Sequence, residues 1–80
     1  SSELHHCIER WMHELSEKQQ EVLSRRFGLN GFDSDTLENV GKEIGLTRER
    51  VRQIQLEALK DLKTIMGREG IASDVLSEFQ

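Results

Sequence analysis

Eighty residues with a net charge of −4, 35% apolar and 32% charged side chains make one small domain, whose core is worth on the order of a few kcal/mol net. No apolar run approaches the roughly 18 residues of a membrane span and no signal-peptide pattern opens the chain, so no membrane partner is expected. The single Cys7 cannot form an intramolecular disulfide and suits a reducing, cytoplasmic setting. An overall acidic balance argues against a protein that coats nucleic acid generally. The lack of Pro and Tyr reads as helix-rich, and the absence of an initiator Met suggests either a fragment of something longer or removal of the Met by processing.

Residues 3–14 read as an amphipathic helix: Leu4, Ile8, Trp11 and Leu15 follow a 4-3-4 spacing, broadened by Cys7 and Met12, with Trp11 as the expected anchor. His5, Glu9 and His13 share another face of this helix. From i to i+8 a helix covers about 12 Å, too far to converge on one ion. No metal or cofactor is expected, and no Ser/His/Asp set, glycine-rich phosphate loop or secluded carboxylate pair points to an enzyme. Ser16 and Gln19 fit a capping box for a second helix, whose inner stripe is Val22, Leu23 and Phe27. Arg25 and Arg26 crowd its C-terminal end, either as dipole partners or also as phosphate contacts, and Gly28 ends it. Residues 29–35 form the one real loop, with a turn at Asn30-Gly31 and Phe32 expected to fold back over the core. Thr36, or Asp35 paired with Glu38, caps the next helix.

The run Leu37–Leu56 holds two short helical patterns around Gly45, where a sharp turn needs positive φ. Leu37, Val40 and Ile44 form one apolar face; Val51, Ile54 and Ala58 form the next, continued by Leu62 and Ile65. Thr47 can cap the second helix, and Gly41 lets that helix cross closely. Together these features predict a helix-turn-helix. On the long second helix, about 48–66, Arg48, Glu49, Arg52 and Gln53 are read as the outer face, with Leu56 beside them. These side-chain types suit base edges: Arg to guanine, Gln to adenine, Glu to the cytosine amino group. The competing reading is a solvated face in which Glu49 pairs with Arg52 or Gln53. Positive charge is focused there, since Leu46–Leu56 holds three Arg and one Glu in an otherwise acidic chain. Further along, Glu57 and Asp61 alternate with Lys60 and Lys63. Gly67 and Gly70 are expected to end this helix, and 72–79, capped by Ser73, reads as a short helix or tail. The predicted fold is all-α, with four to five helices in one domain: first-half helices over 1–35, the helix-turn-helix over 36–66 and a tail over 67–80.

The run from Thr36 to Gln55, TLENVGKEIGLTRERVRQIQ, resembles region 4 of bacterial sigma factors of the housekeeping type. Leu15 to Leu29, LSEKQQEVLSRRFGL, is similar to the first half of the same region, and TRERVRQIQ is most like the stationary-phase group. The resemblance covers roughly residues 10–66. It implies a subunit that lets RNA polymerase recognise promoters, with this domain reading the −35 element of double-stranded DNA. By that resemblance Arg48, Glu49 and Gln53 would meet bases, and Arg52 the backbone and a base. Thr47 and the amides of Leu37 and Glu38 would meet phosphates, as would Lys18 and Arg26 on the flanking backbone. It also implies docking on the flap of the polymerase β subunit, which makes Trp11, Leu23, Phe27, Lys60 and Lys63 candidate partner-docking residues. Activators and anti-sigma proteins are further expected partners. Glu57 and Asp61 depart from the basic residues usual there, which implies weaker dependence on the −35 element. A second reading is a protein-docking module with marginal DNA binding of its own. No heptad seam is present, so the isolated domain is expected to be a monomer.

Overall fold

The computed structural model describes residues 2–70, with side chains from His6 onward. Among the described residues there are four α-helices: α1 (Ser2–Trp11), α2 (Glu17–Phe27), α3 (Leu37–Ile44) and α4 (Arg48–Arg68). Leu4 and His5 as side chains, and the segment expected at 72–79, lie outside the described residues.

The first predicted helix tightens at its end into a 3-10 turn over Met12–Glu14 and stops where Leu15 becomes extended. Ile8 and Met12 are the buried anchors, at 1% and 0% exposure, whereas Trp11 is half-buried against their cluster. Ile8 and Met12 lie i, i+4 on one line down the helix, and Trp11 sits at the edge of that stripe. Ser16 then caps α2 in a capping box: its Oγ accepts from the Gln19 amide at 3.1 Å, and its own amide donates to Gln19 Oε1 at 3.0 Å. Gly28 ends α2 in the left-handed region at φ 69.

Leu29, unassigned to the core by periodicity, is buried at 1%. It joins the core cluster of Ile8, Met12 and Leu23. Phe32, expected over the core, instead stays 41% exposed, with the Arg25 guanidinium 4.7 Å from its ring centroid. The loop is pinned at Asn30, whose amide donates to Glu9 Oε2 at 2.9 Å and whose Nδ2 donates to the buried Ser24 Oγ at 2.9 Å. Of the two caps weighed for α3, Thr36 is used: its Oγ1 accepts from the Asn39 amide at 3.1 Å. Asp35 supports it by accepting from the Thr36 amide and from Asn39 Nδ2 at 2.8 and 2.9 Å.

Gly45 turns the chain at φ 75. A Cβ on Gly41 would meet the Leu46 carbonyl oxygen at 2.5 Å, so the close approach there is by the turn and not by α4 as expected. The 21 residues of α4 make a strut about 31 Å long, against a longest molecular extent of 36 Å. Val51 and Ile54 near its start share one cluster with Val22 and Val40. Ala58, Leu59, Leu62, Ile65 and Met66 join Ile8, Met12, Leu15, Leu23 and Leu29 in the other. The helix thus joins the α3 half of the core to the α1 half. All five predicted inner residues are buried, and so are Leu59 and Met66. Gly67 does not end α4; the helix runs through it to Arg68, and Gly70 carries the positive φ of 74. Burial of Ile65 and Met66 outweighs the cost of about 1 kcal/mol for one interior glycine. Arg68 also pairs with Glu14 across the molecule.

Candidate nucleic-acid interface

Thr47 Oγ1 accepts from the Arg50 amide at 3.1 Å, which fixes where α4 begins and presents its first turns to solvent. Arg48, Glu49, Arg52 and Gln53 are all exposed. They do not form one uniform face. Glu49 and Arg52 make a two-pronged ion pair, with Arg52 Nε donating to Oε1 at 2.9 Å and Nη2 to Oε2 at 2.7 Å. Arg50, absent from the predicted set, is also exposed, and its Nη1 donates to Gln53 Oε1 at 3.4 Å. Arg48 is exposed as expected, although its angle on the helix is close to the buried side. At 100° per residue it lies only about 60° from Val51; it is exposed because it precedes the point where the core begins. It lines an open notch with Arg26, Asp35, Thr36, Leu37 and Glu38.

That notch has the chemistry of an anion site. The first amides of a helix have no intrahelical acceptor. In α3 the Asn39 amide is taken by Thr36 and the Val40 amide donates to the Thr36 carbonyl at 2.9 Å, leaving the amides of Leu37 and Glu38. The helix dipole and the guanidinium groups of Arg26 and Arg48 add positive potential. Arg26 is held firmly: Nε donates to Gln55 Oε1 at 3.0 Å, Nη1 donates to the Asp35 carbonyl at 2.7 Å, and the guanidinium lies 5.0 Å from the Phe27 ring centroid. Lys18 is not part of this group. It sits about 12 Å from Arg26 along α2, and its Nζ pairs with Glu21 at 3.5 Å.

The candidate docking residues separate as well. Leu23 is buried at 1% in the core, so it has no surface to offer a partner and that expectation is withdrawn. Trp11 is half-buried and borders a concavity with Arg10, Glu14 and Glu69; Phe27 is half-buried against the core. Lys60 and Lys63 flank a groove floored by Leu56 and Leu59, with Gln55 at its end, and Leu56 is 50% exposed. Asp61 is tied down, accepting from Gln19 Nε2 at 3.0 Å. It serves as a tether between α2 and α4, so its acidic charge is partly committed within the fold.

Among the described residues, two carboxylates have lowered pKa values. Asp35 is held down by the Asn39 side chain, through Nδ2, and then by the Thr36 backbone N–H; Glu49 is held down by its bonds to Arg52, whose guanidinium is raised in turn. Such groups contribute stability that is complete above the ordinary carboxylate pKa of about 4 and is lost as pH falls through their lowered values. The melting temperature should therefore show no pH dependence from these two groups between about pH 5 and 8, where their contribution is complete, and should fall on acidification below about pH 4. Asp35→Asn should shallow that acid limb; an identical limb in the variant contradicts the assignment.

The packing and the turn at Gly45 define a helix-turn-helix domain with a notch beside the start of its long second helix, where Arg26 and Arg48 stand with Asp35, Glu38 and the α3 N-terminus. The family model for Sigma-70, region 4, matches residues 11–64, and the chain belongs to that family. It is 49% identical over 71 residues to the RNA polymerase sigma factor RpoS of Coxiella burnetii, covering 89% of this chain and 20% of that protein. It is 38% identical over 61 residues to SigA4 of Synechococcus elongatus, covering 76% and 20%. It is 48% identical over 58 residues to RpoD of Helicobacter pylori, covering 71% and 9%. The chain thus spans a fifth or less of the length of these relatives. Among the described residues no helix is long and apolar enough to cross a membrane.

Proposed function

We propose that this domain recognises the promoter −35 element as part of a sigma factor of bacterial RNA polymerase, as a binding module and not an enzyme. The observation that supports this best is the juxtaposition of two features. One is the Glu49–Arg52 pair with Gln53 on the exposed start of α4; the other is the notch of Arg26, Arg48 and the α3 N-terminus beside it. In this reading α4 enters the major groove, and Glu49, Arg52 and Gln53 meet base edges. Arg48 joins them from the notch side. Arg26, Thr47 and the amides of Leu37 and Glu38 hold the flanking phosphates, with Lys18 further along the backbone. The extent of the likeness to RpoS, 89% of the chain against 71% for RpoD, supports assignment to the stationary-phase group, acting in the cytoplasm.

A docking role for the same domain is supported by the groove of Leu56, Leu59, Lys60 and Lys63 and by the half-buried Trp11 and Phe27. These are the surfaces we assign to the polymerase β flap and to activator or anti-sigma proteins. Net charge −4 makes the isolated domain a weak DNA binder that needs the polymerase to hold it in place. The test is titration of a −35 duplex and a scrambled duplex at low and moderate salt. A preference for the −35 duplex at low salt supports DNA reading; equal binding of both, or none at any salt, moves the function to docking alone.

A further inference from the structure

Arg26 lies on α2, yet the groups that hold it come from elsewhere in the chain. Its Nε donates to Gln55 Oε1 at 3.0 Å, from α4 and 29 residues away. Its Nη1 donates to the Asp35 carbonyl at 2.7 Å, just before α3. The Phe27 ring, 5.0 Å from the guanidinium, backs it. A guanidinium carries five N–H donors; these two bonds use two and leave three. The acceptors are an amide oxygen and a backbone carbonyl, which fix the fork and carry no charge; the nearby Asp35 carboxylate, which feels Arg26, is bonded instead to the Thr36 amide and Asn39 Nδ2.

We propose that Gln55 is a positioning residue for DNA-backbone binding: it holds Arg26 at full charge beside the α3 N-terminus, so that one phosphate meets Arg26 and the Leu37 and Glu38 amides together. The proposal rests on the reading that Arg26 meets DNA. Gln55 is half-buried at the end of the groove of Leu56, Leu59, Lys60 and Lys63, and it reaches the notch only through its bond to Arg26. The choice of glutamine is what matters. A glutamate of the same length would accept the same hydrogen bond, but its carboxylate would offset the charge meant for the phosphate. An aliphatic side chain would keep the charge and lose the aim. A residue that only joined α2 to α4 would be served at least as well by glutamate, because an ion pair would replace a neutral bond.

The experiment uses the whole 80-residue chain and measures binding to a −35 duplex as a function of salt, together with the melting temperature. One phosphate contact contributes about 0.9 to the slope of log K against log salt, roughly eightfold in affinity at 0.1 M. Gln55→Glu should lose about that slope and affinity on −35 and scrambled duplexes alike, with a melting temperature no lower than the native one. Gln55→Leu should bind a few-fold more weakly, from the freedom restored to Arg26. Arg26→Gln serves as the reference for complete loss of the contact. Native affinity and slope in Gln55→Glu, with loss in Arg26→Gln, overturn the positioning role and leave the Arg26 contact standing. Loss of affinity in Gln55→Glu accompanied by a lowered melting temperature reduces Gln55 to a structural link and also overturns the proposal. Native binding by Arg26→Gln removes the phosphate contact itself, and the proposal with it.

Discussion

Replacing Gly41 with alanine is expected to destabilise the domain by about 2 kcal/mol, and with valine by more, although glycine is a poor residue for a helix interior. Helix propensity alone argues the other way, favouring alanine by about 1 kcal/mol. What decides the sign is the atom that the new Cβ meets. It would lie 2.5 Å from the Leu46 carbonyl oxygen, a backbone atom in a turn already tied to α3. The amides of Gly45 and Leu46 both donate to the Gly41 carbonyl. The turn can relieve the contact only by opening, which would displace Thr47 and with it the start of α4. Gly67 is the control, since a Cβ there meets nothing within 4 Å, and Gly67→Ala should gain about 0.5–1 kcal/mol. Urea unfolding of the two variants should show shifts of opposite sign. A stabilised Gly41→Ala would contradict the close approach at the turn.

Glu49 and Arg52 are expected to behave in DNA binding as one unit. The pair is already formed without DNA, with both prongs in place at 2.9 and 2.7 Å. Each carboxylate oxygen keeps a further lone pair and the guanidinium keeps N–H groups, so both can meet base edges without breaking the pair. Each side chain thereby fixes the rotamer of the other before binding, which lowers the ordering cost at the interface. Glu49→Ala and Arg52→Ala should each weaken −35 binding by roughly ten- to a hundredfold. The double variant should be little worse than either single one, because each single substitution already frees the remaining side chain. Additive losses in this cycle would mean that the two residues contact DNA independently and that their pair is only a surface ion pair.

The helix-turn-helix was legible because its signals are local. A threonine three residues before an amide it can cap, a glycine at a sharp turn and apolar residues at i, i+3 and i+4 each act over one or two turns of chain. The caps at Ser16, Thr36 and Thr47, the turn at Gly45 and the inner face of α4 follow from them. What escaped the sequence depends on competition for space or on distant polar partners. Phe32 was expected over the core yet stays 41% exposed, while Leu29, which no periodicity marked, is buried. Trp11 has more apolar surface than Met12 but lies at the edge of the stripe. Leu23 suited a docking surface by resemblance, yet its position on α2 points it into the core shared with α4. The bonds from Gln19 to Asp61 and from Arg26 to Gln55 join residues 42 and 29 apart, and no periodicity announces a pair of polar side chains. Arg48 is exposed as expected, but for a reason the helical wheel does not give: its angle lies near the buried face, and its place in the first turn exposes it.

Base reading by the first turns of α4 is the core of the proposed function. It is tested most directly by titrating native protein and Arg48→Ala, at low salt, against a −35 duplex and duplexes with each of its base pairs replaced in turn. The expected result is sequence preference in the native protein and a loss of about 1–3 kcal/mol with Arg48→Ala, accompanied by lost discrimination at one base-pair position. An equal loss on every duplex would make Arg48 a phosphate contact, and a native protein indifferent to all of the replacements would contradict base reading by this helix.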